Sequence, residues 1–269
     1  MGIGPDFVAP AAVDFIHRRE GASDLYFVRN TTDQPLTAAP RFRAGNRLPE
    51  LWNPVTGETG TATAWRRQGA SMEVPLDLPP NGSMFVVFRR AAPAAPAKRP
   101  AVKLPDAVAI AGPWTVDFAG GPQAIGFPRL SSWTESTDER VKYFSGTARY
   151  RATFRMPANW RRTGVAPRID LGRLWTIGEV WLNGKPLGIA WTAPFSVDAS
   201  SALRDGDNEL VVEVTNNWFN RVVGDSKLPP EQRTTCTNMM QSGGKPWNQQ
   251  EPAASGLFGP VQVTFTPAR

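Results

Sequence analysis

The clearest pattern along the chain is alternation. Met72, Val74, Leu76 and Leu78 are apolar at every second position, with Glu73, Pro75 and Asp77 between them, as in a strand with one buried and one wet face. Pro75 points to a sheet edge, because proline has no N–H to give to a ladder. Pro79-Pro80-Asn81-Gly82 then turns the chain, and Met84-Phe85-Val86-Val87-Phe88 is apolar throughout, which predicts a fully buried strand. Upstream, Leu25 to Val28 stops at the polar run Asn30 to Pro35, and Glu50-Leu51-Trp52 runs into the turn residues Asn53-Pro54 and Thr56-Gly57-Glu58. The first fifteen residues, interrupted by Pro5 and Pro10, are expected to form a loop or short helix, with regular structure starting after them. Residues 1–90 together predict a small antiparallel β domain.

Residues 91–105, AAPAAPAKRPAVKLP, space proline through alanine, the composition of a semi-rigid linker. A second unit, 106–269, follows. Trp114 to Phe118 and Thr147 to Phe154 alternate, and Arg168 to Leu171 continues the series. Glu179 to Leu182 and Lys185 to Gly188 flank Asn183-Gly184, a hairpin tip at which both residues need positive φ. Pro194 to Asp198, Glu209 to Val214 and a final strand over Leu257 to Phe265 complete the set. Short strands with turn signals about every ten residues predict an all-β chain, its second unit a β-sandwich or jelly roll.

From Asn216 to Glu251 the rhythm stops, and so long a loop inside a compact domain is usually functional. It holds Trp218, Phe219 and Trp247, with Asn216, Asn217, Asn220, Arg221, Asp225, Asn248 and Gln249. Indole faces stack on the apolar face of a pyranose, and amide or acidic groups bond its hydroxyls. Trp191, just past the hairpin, can join them. The candidate carbohydrate-binding residues are therefore Trp191, Asn216, Trp218, Asn220, Arg221, Asp225 and Trp247. The competing explanation is that the tryptophans pin a long loop while the asparagines cap its turns. Two stacked rings supply a few kcal/mol at about 25 cal/mol per Å², hence millimolar affinity at best.

Composition removes several classes. One cysteine, Cys236, forms no internal disulfide, and with the single His17 it cannot complete the usual zinc ligand sets. No nucleophile-elbow motif accompanies His17. The net charge of +6 comes from 24 arginines and 6 lysines scattered in ones and twos among acidic residues, unlike the basic face of a nucleic-acid binder. No apolar run reaches the roughly 18 residues of a membrane span. The opening residues lack the basic and apolar regions of a signal peptide. Neither nucleic acid nor membrane is expected as a partner. No cofactor is indicated. Asp198, Asp205, Asp207 and Asn208 offer oxygen ligands for a structural calcium, without the spacing of an EF-hand. The acidic residues otherwise sit in turns or on exposed strand positions, and no opposed glycosidase pair is recognisable.

Three segments carry a family resemblance. GEVWLNGKPLG from Gly178, PFSVDASSALRDGDNELVVEVTN ending at Asn216, and SGLFGPVQV near the end resemble the galactose-binding-like jelly roll, the sugar-binding domain of family 2-type glycoside hydrolases such as β-galactosidases and β-glucuronidases. Read with DFIHRREG and DLYFVRN between Asp14 and Asn30, ELWNPVTGE at Glu50 to Glu58, and VTNNWFNRVVGDSKLP at Val214 to Pro229, the order is similar to the C-terminal region of glycoside hydrolase family 106, the large α-L-rhamnosidases. The resemblance implies that the catalytic barrel lies upstream in such enzymes and carries their glutamates. A barrel takes about 250 residues and does not fit beside two β units. No position matches those glutamates, so no catalytic residue is carried over. His17 to Gly21 resembles a segment near the end of the catalytic region, and is expected to form an ordinary turn.

The implied function is a noncatalytic, supporting C-terminal part of an α-L-rhamnosidase-like hydrolase. Its implied partners are the barrel and a rhamnose- or galactose-containing glycan. Alternatives are a free-standing hydrolase with a cleft between the two β units, or a purely structural module. An exported parent would place it in the periplasm or at the cell surface.

Overall fold

The computed structural model describes residues 4–96, 102–238 and 245–268. Arg269 aside, the chain divides into two compact units, residues 1–101 and 102–268. The centre of the expected linker, residues 97–101, lies outside the described residues, and its start, Ala91, still belongs to a strand.

The first unit is built on a five-stranded antiparallel sheet with the order Val13–Glu20, Ser23–Asn30, Ser83–Ala91, Arg47–Trp52, Thr59–Thr61. A four-stranded sheet (Phe7–Val8, Arg41–Phe42, Ser71–Glu73, Arg66–Gln68) and the pair Leu36–Ala38 with Leu76–Leu78 complete it. Alternation acts here as expected: Tyr26, Val28, Phe42, Met72, Val74, Val86 and Phe88 are fully buried together. Pro75 lies where the chain changes sheets, between Ser71–Glu73 on Arg41–Phe42 and Leu76–Leu78 on Leu36–Ala38. At the Pro79 turn Asn81 has φ 54°, and a Cβ at Gly82 would lie 2.4 Å from Pro79 Cγ, so glycine is required there.

Two expectations for this unit need correction. The first fifteen residues are neither loop nor helix throughout: Phe7–Val8 pairs with Arg41–Phe42, and Val13–Glu20 pairs along its whole length with Ser23–Asn30. Val13–Glu20 is an edge strand, exposed except at Val13 and His17, so backbone pairing holds it and leaves no apolar alternation to read. Of the His17 to Gly21 segment only Gly21 lies in the turn, and His17 is a strand residue. Within Met84 to Phe88, full burial is confined to Val86, Val87 and Phe88.

The second unit is a β-sandwich. Its six-stranded antiparallel sheet runs Ile125–Phe127, Trp114–Phe118, Thr147–Met156, Gly206–Thr215, Ile177–Leu182, Lys185–Ala190. Its four-stranded sheet runs Val108–Ala109, Gln262–Pro267, Val165–Asp170, Ser196–Asp198, and a short pair joins Arg173–Trp175 to Gly256–Gly259. Tyr150, Val180 and Val212 from the larger sheet and Ile169 and Val263 from the smaller share one core with Trp114, Phe118 and Trp133. The hairpin tip has the expected left-handed pair, Asn183 at φ 52° and Gly184 at φ 78°. The final strand is two strands in different sheets, Gly256–Gly259 and Gln262–Pro267, because Pro260 interrupts the ladder. Among the described residues no helix is long and apolar enough to cross a membrane.

Candidate carbohydrate site and the charged clusters

The stretch after Asn216 contains an element that periodicity does not reveal. Phe219–Ser226 is an α-helix, and just ahead of it the Asn217 side-chain Oδ1 accepts from Phe219 N–H at 3.1 Å. Val223 is fully buried, and Gly224 lies so close to Tyr143 that a Cβ would sit 2.7 Å from that ring's Cβ and Cγ. Tertiary contact holds this turn of chain as helix.

Several candidate side chains face inward. Asn216 accepts from Gly146 N–H at 2.9 Å and donates to Phe144 O at 2.9 Å and Ser255 Oγ at 3.2 Å. Asn220, 1% exposed, donates to Ala253 O at 2.7 Å and Ser255 Oγ at 2.9 Å, and accepts from Ala253 N–H at 2.7 Å. Asp225, 2% exposed, accepts at one oxygen from the backbone and hydroxyl of both Thr234 and Thr235. Its other oxygen pairs with Arg221 Nε at 3.0 Å. Burial pushes the Asp225 carboxyl up, but the four threonine bonds outweigh it, and the group is held below the usual carboxylate range. Asn216 and Asn220 tie the loop to the sandwich, and Asp225 ties the helix to the chain that follows it.

The tryptophans differ among themselves. Trp247 is half-buried, its ring edge-on to Phe219 at 5.6 Å. Trp218 and Trp191 are 66% and 56% exposed. Trp191 lies one residue beyond the pair Gly178↔Ala190, so the register sets it opposite Ile177. Ile177 in turn pairs with Thr215, and Thr215 with Thr147. The next row outward on the same face is Ile189, Glu179, Glu213, Arg149, Asp117. Arg149 is bound by Glu213, whereas Glu179 is exposed. The outer face of the larger sheet thus carries an indole, two exposed isoleucines, two threonine hydroxyls and a carboxylate within diagonal reach of the indole. Glu179, Ile177 and Ile189 escaped the sequence reading, although the alternation of Gly178, Val180 and Leu182 inward already sends Ile177 and Glu179 outward.

In the first unit, His17 lies between two carboxylates, Nδ1 at 2.6 Å from Asp6 and Nε2 at 2.9 Å from Asp24. The ring stacks flat on Tyr26 at 4.0 Å. Arg43 binds Asp6 and Arg47 binds Asp24. Burial, the two carboxylates and a bond to Asp6 push the Tyr26 phenol far up. A second cluster surrounds buried Glu50, which meets Arg89 at 2.8 Å, Arg90 at 2.9 Å and Trp52 Nε1 at 3.3 Å. Burial raises Glu50, yet the bonds from Arg89 and Trp52 and the two guanidinium charges leave it lowered.

The residues considered for calcium go separate ways. Asp198 accepts from Ser200 N–H, Asp205 pairs with Arg161, Asp207 with Arg155, and Asn208 bonds Asn183 and Arg204. Among the described residues no three His, Cys, Asp or Glu side chains converge as a metal site. Glu50, Asp117, Asp138 and Asp225 are held below the usual carboxylate range by the guanidinium, hydroxyl or backbone partners that bond them.

Residues 1–66 match the glycoside hydrolase family 106 model, described as alpha-L-rhamnosidase. A protein of Formosa agariphila named putative beta-glucuronidase is 36% identical over 187 residues, 60% of this chain and 16% of its own length. The solved rhamnosidase from Novosphingobium sp. PP1Y is similar over 98% of this chain at 33% identity with a TM-score of 0.84, and this chain covers 25% of it. The chain spans a quarter or less of the length of these relatives. Its motifs, its fold and these matches together relate it to the α-L-rhamnosidases of glycoside hydrolase family 106.

Proposed function

We propose that this chain is the noncatalytic C-terminal part of an α-L-rhamnosidase-like glycoside hydrolase. Its two β units support a catalytic barrel carried elsewhere in such an enzyme, and the sandwich holds a rhamnose- or galactose-containing glycan. The observation behind this is the likeness to the rhamnosidase over 98% of this chain but only 25% of that one. A barrel needs about 250 residues, and β strands of two other units occupy the described chain.

For the glycan, the outer sheet face is the better platform. Trp191 offers its ring to the apolar face of a pyranose, and Glu179, Thr215 and Thr147 lie on the same face for the hydroxyls. Trp218 offers a second exposed ring. Asn216, Asn220 and Asp225 spend their polar atoms internally and act at one remove, by holding the loop.

The test is a titration of the purified chain with rhamnose, galactose and rhamnose-rich pectin, followed by tryptophan fluorescence and calorimetry. Saturable binding lost in Trp191→Ala supports the glycan role. Silence at tens of millimolar removes that role and leaves the supporting one. Turnover of an aryl rhamnoside, abolished by changing a single carboxylate, would overturn the noncatalytic assignment.

A further inference from the structure

One sheet border differs from the rest. Most border strands have two or three residues, as Thr59–Thr61, Ile125–Phe127 and Ser196–Asp198 do. Lys185–Ala190 is longer but contains Pro186 and a register slip. Val13–Glu20 has none of these protections against a newcomer strand. It holds no proline or glycine, and all eight residues pair with Ser23–Asn30 in unbroken register. Among the described residues no strand pairs with its other side, and Phe15 and Ile16 are 42% and 68% exposed.

Period two sorts the groups of this strand. Ala12 O accepts from Thr31 N–H at 2.9 Å, whereas Val13 N–H turns away to Pro10 O. Continuing that alternation, Asp14, Ile16 and Arg18 bond Ser23–Asn30, while Phe15, His17 and Arg19 direct N–H and C=O outward. Side chains alternate as well. Phe15 stacks on Phe7 and His17 on Tyr26, inside the unit, which sets Asp14, Ile16 and Arg18 on the opposite face. Asp14 and Arg18 are exposed, and neither forms an ion pair among the described residues.

We propose that Val13–Glu20 pairs with the same strand of a second copy of this chain, antiparallel, about a two-fold axis at Ile16. In that register Phe15 of one copy faces His17 of the other, so the outward ladder groups bond each other on both sides of the axis. Ile16 meets its counterpart in the closer, non-hydrogen-bonded kind of pair, where side chains touch best. Asp14 falls opposite Arg18 of the second copy, and Arg18 opposite its Asp14. A slip of one residue would set inner face against outer face, and a slip of two would set Asp14 against Ile16 or Glu20. The charges thus select one register. A single ladder is a small interface, so the association is weak and reversible. It is independent of the rhamnosidase-like function and of the Trp191 face.

The test is sedimentation equilibrium of the purified chain over a wide concentration range, with amide exchange followed at both extremes. A monomer–dimer equilibrium is expected, with exchange at Phe15 and His17 slowed in the dimer. Asp14→Arg and Arg18→Asp should each weaken the dimer at least tenfold, as should Ile16→Lys, with little change in melting temperature. The double variant Asp14→Arg with Arg18→Asp restores opposite charges in the same register and should recover most of the loss. Monomer at every concentration overturns the proposal. So does a dimer indifferent to these substitutions, or a double variant no better than either single one.

Discussion

Asn220→Ala separates a brace from a ligand contact. Asn220 is 1% exposed and makes three bonds: both backbone groups of Ala253, and Ser255 Oγ. Alanine leaves Ser255 Oγ with Asn216 and Ala253 O as partners, so little is lost there. It strands the N–H of Ala253, which is itself only half-buried, while the Ala253 C=O keeps Ser255 Oγ. An orphaned buried polar group costs about 1–3 kcal/mol. With one orphaned group partly open to water, a loss of about 1–2 kcal/mol is expected. Urea unfolding of the chain, followed by tryptophan fluorescence, reads this as a lower midpoint for the sandwich transition, with faster amide exchange at Ala253 and Ser255. Asn217→Ala, which removes one exposed bond to Phe219 N–H, is the control and should cost under about 1 kcal/mol. A change below about 0.5 kcal/mol in Asn220→Ala, accompanied by loss of glycan binding, would refute the reasoning and move Asn220 to the ligand.

Other outcomes follow from the same geometry. Glu50 has its pKa lowered in the fold from 4.5, so its stabilisation is complete above that value and is lost as pH falls through the depressed one. Acid titration of the first unit should show this loss, and Glu50→Gln should flatten the dependence while lowering stability at neutral pH. Tyr150 is pushed by burial from 10.0 up to about 12, despite accepting from Trp133 Nε1 and Leu257 N–H. Its contribution is complete below pH 10 and disappears as pH rises toward about 12, a loss that Tyr150→Phe should remove from the sandwich transition of an alkaline melt, while that of Tyr26 in the first unit remains. Trp191→Ala should weaken glycan binding with a stability change within about 0.5 kcal/mol, because the side chain is mostly exposed, and Glu179→Gln should weaken it further for sugars bonded through hydroxyls. Equal binding in wild type and Trp191→Ala would remove that face from the site.

The two units and most of their strands were legible because one-sided burial writes itself as period-two alternation. Met72 to Leu78 shows it even across Pro75, where the sheet changes but the buried face does not. What escaped is structure with distant causes. Val13–Glu20 is mostly exposed and held by its ladder to Ser23–Asn30, so its side chains carry no pattern. Phe219–Ser226 contains asparagine, glycine and two valines, poor helix formers, and is kept helical by contacts such as Gly224 on Tyr143. For the candidate site, residue type singled out Trp191 and Trp218, whose rings the fold leaves exposed, and Asn216, Asn220 and Asp225, whose polar atoms it turns inward. Whether an amide faces solvent or a backbone carbonyl thirty or more residues away is decided by packing, which local sequence does not record.

The outermost strand of the larger sheet, Lys185–Ala190, combines a lysine, a proline without an N–H and Gly188 at φ 121°, and its pairing slips beside Trp181. Such a border is hostile to a newcomer strand. Self-association by sheet extension is thereby discouraged here, although Trp191, Ile177 and Ile189 stand exposed on or beside it. Whatever settles on this side of the sandwich must come down broadside onto these side chains, which favours compact guests over extended polypeptide.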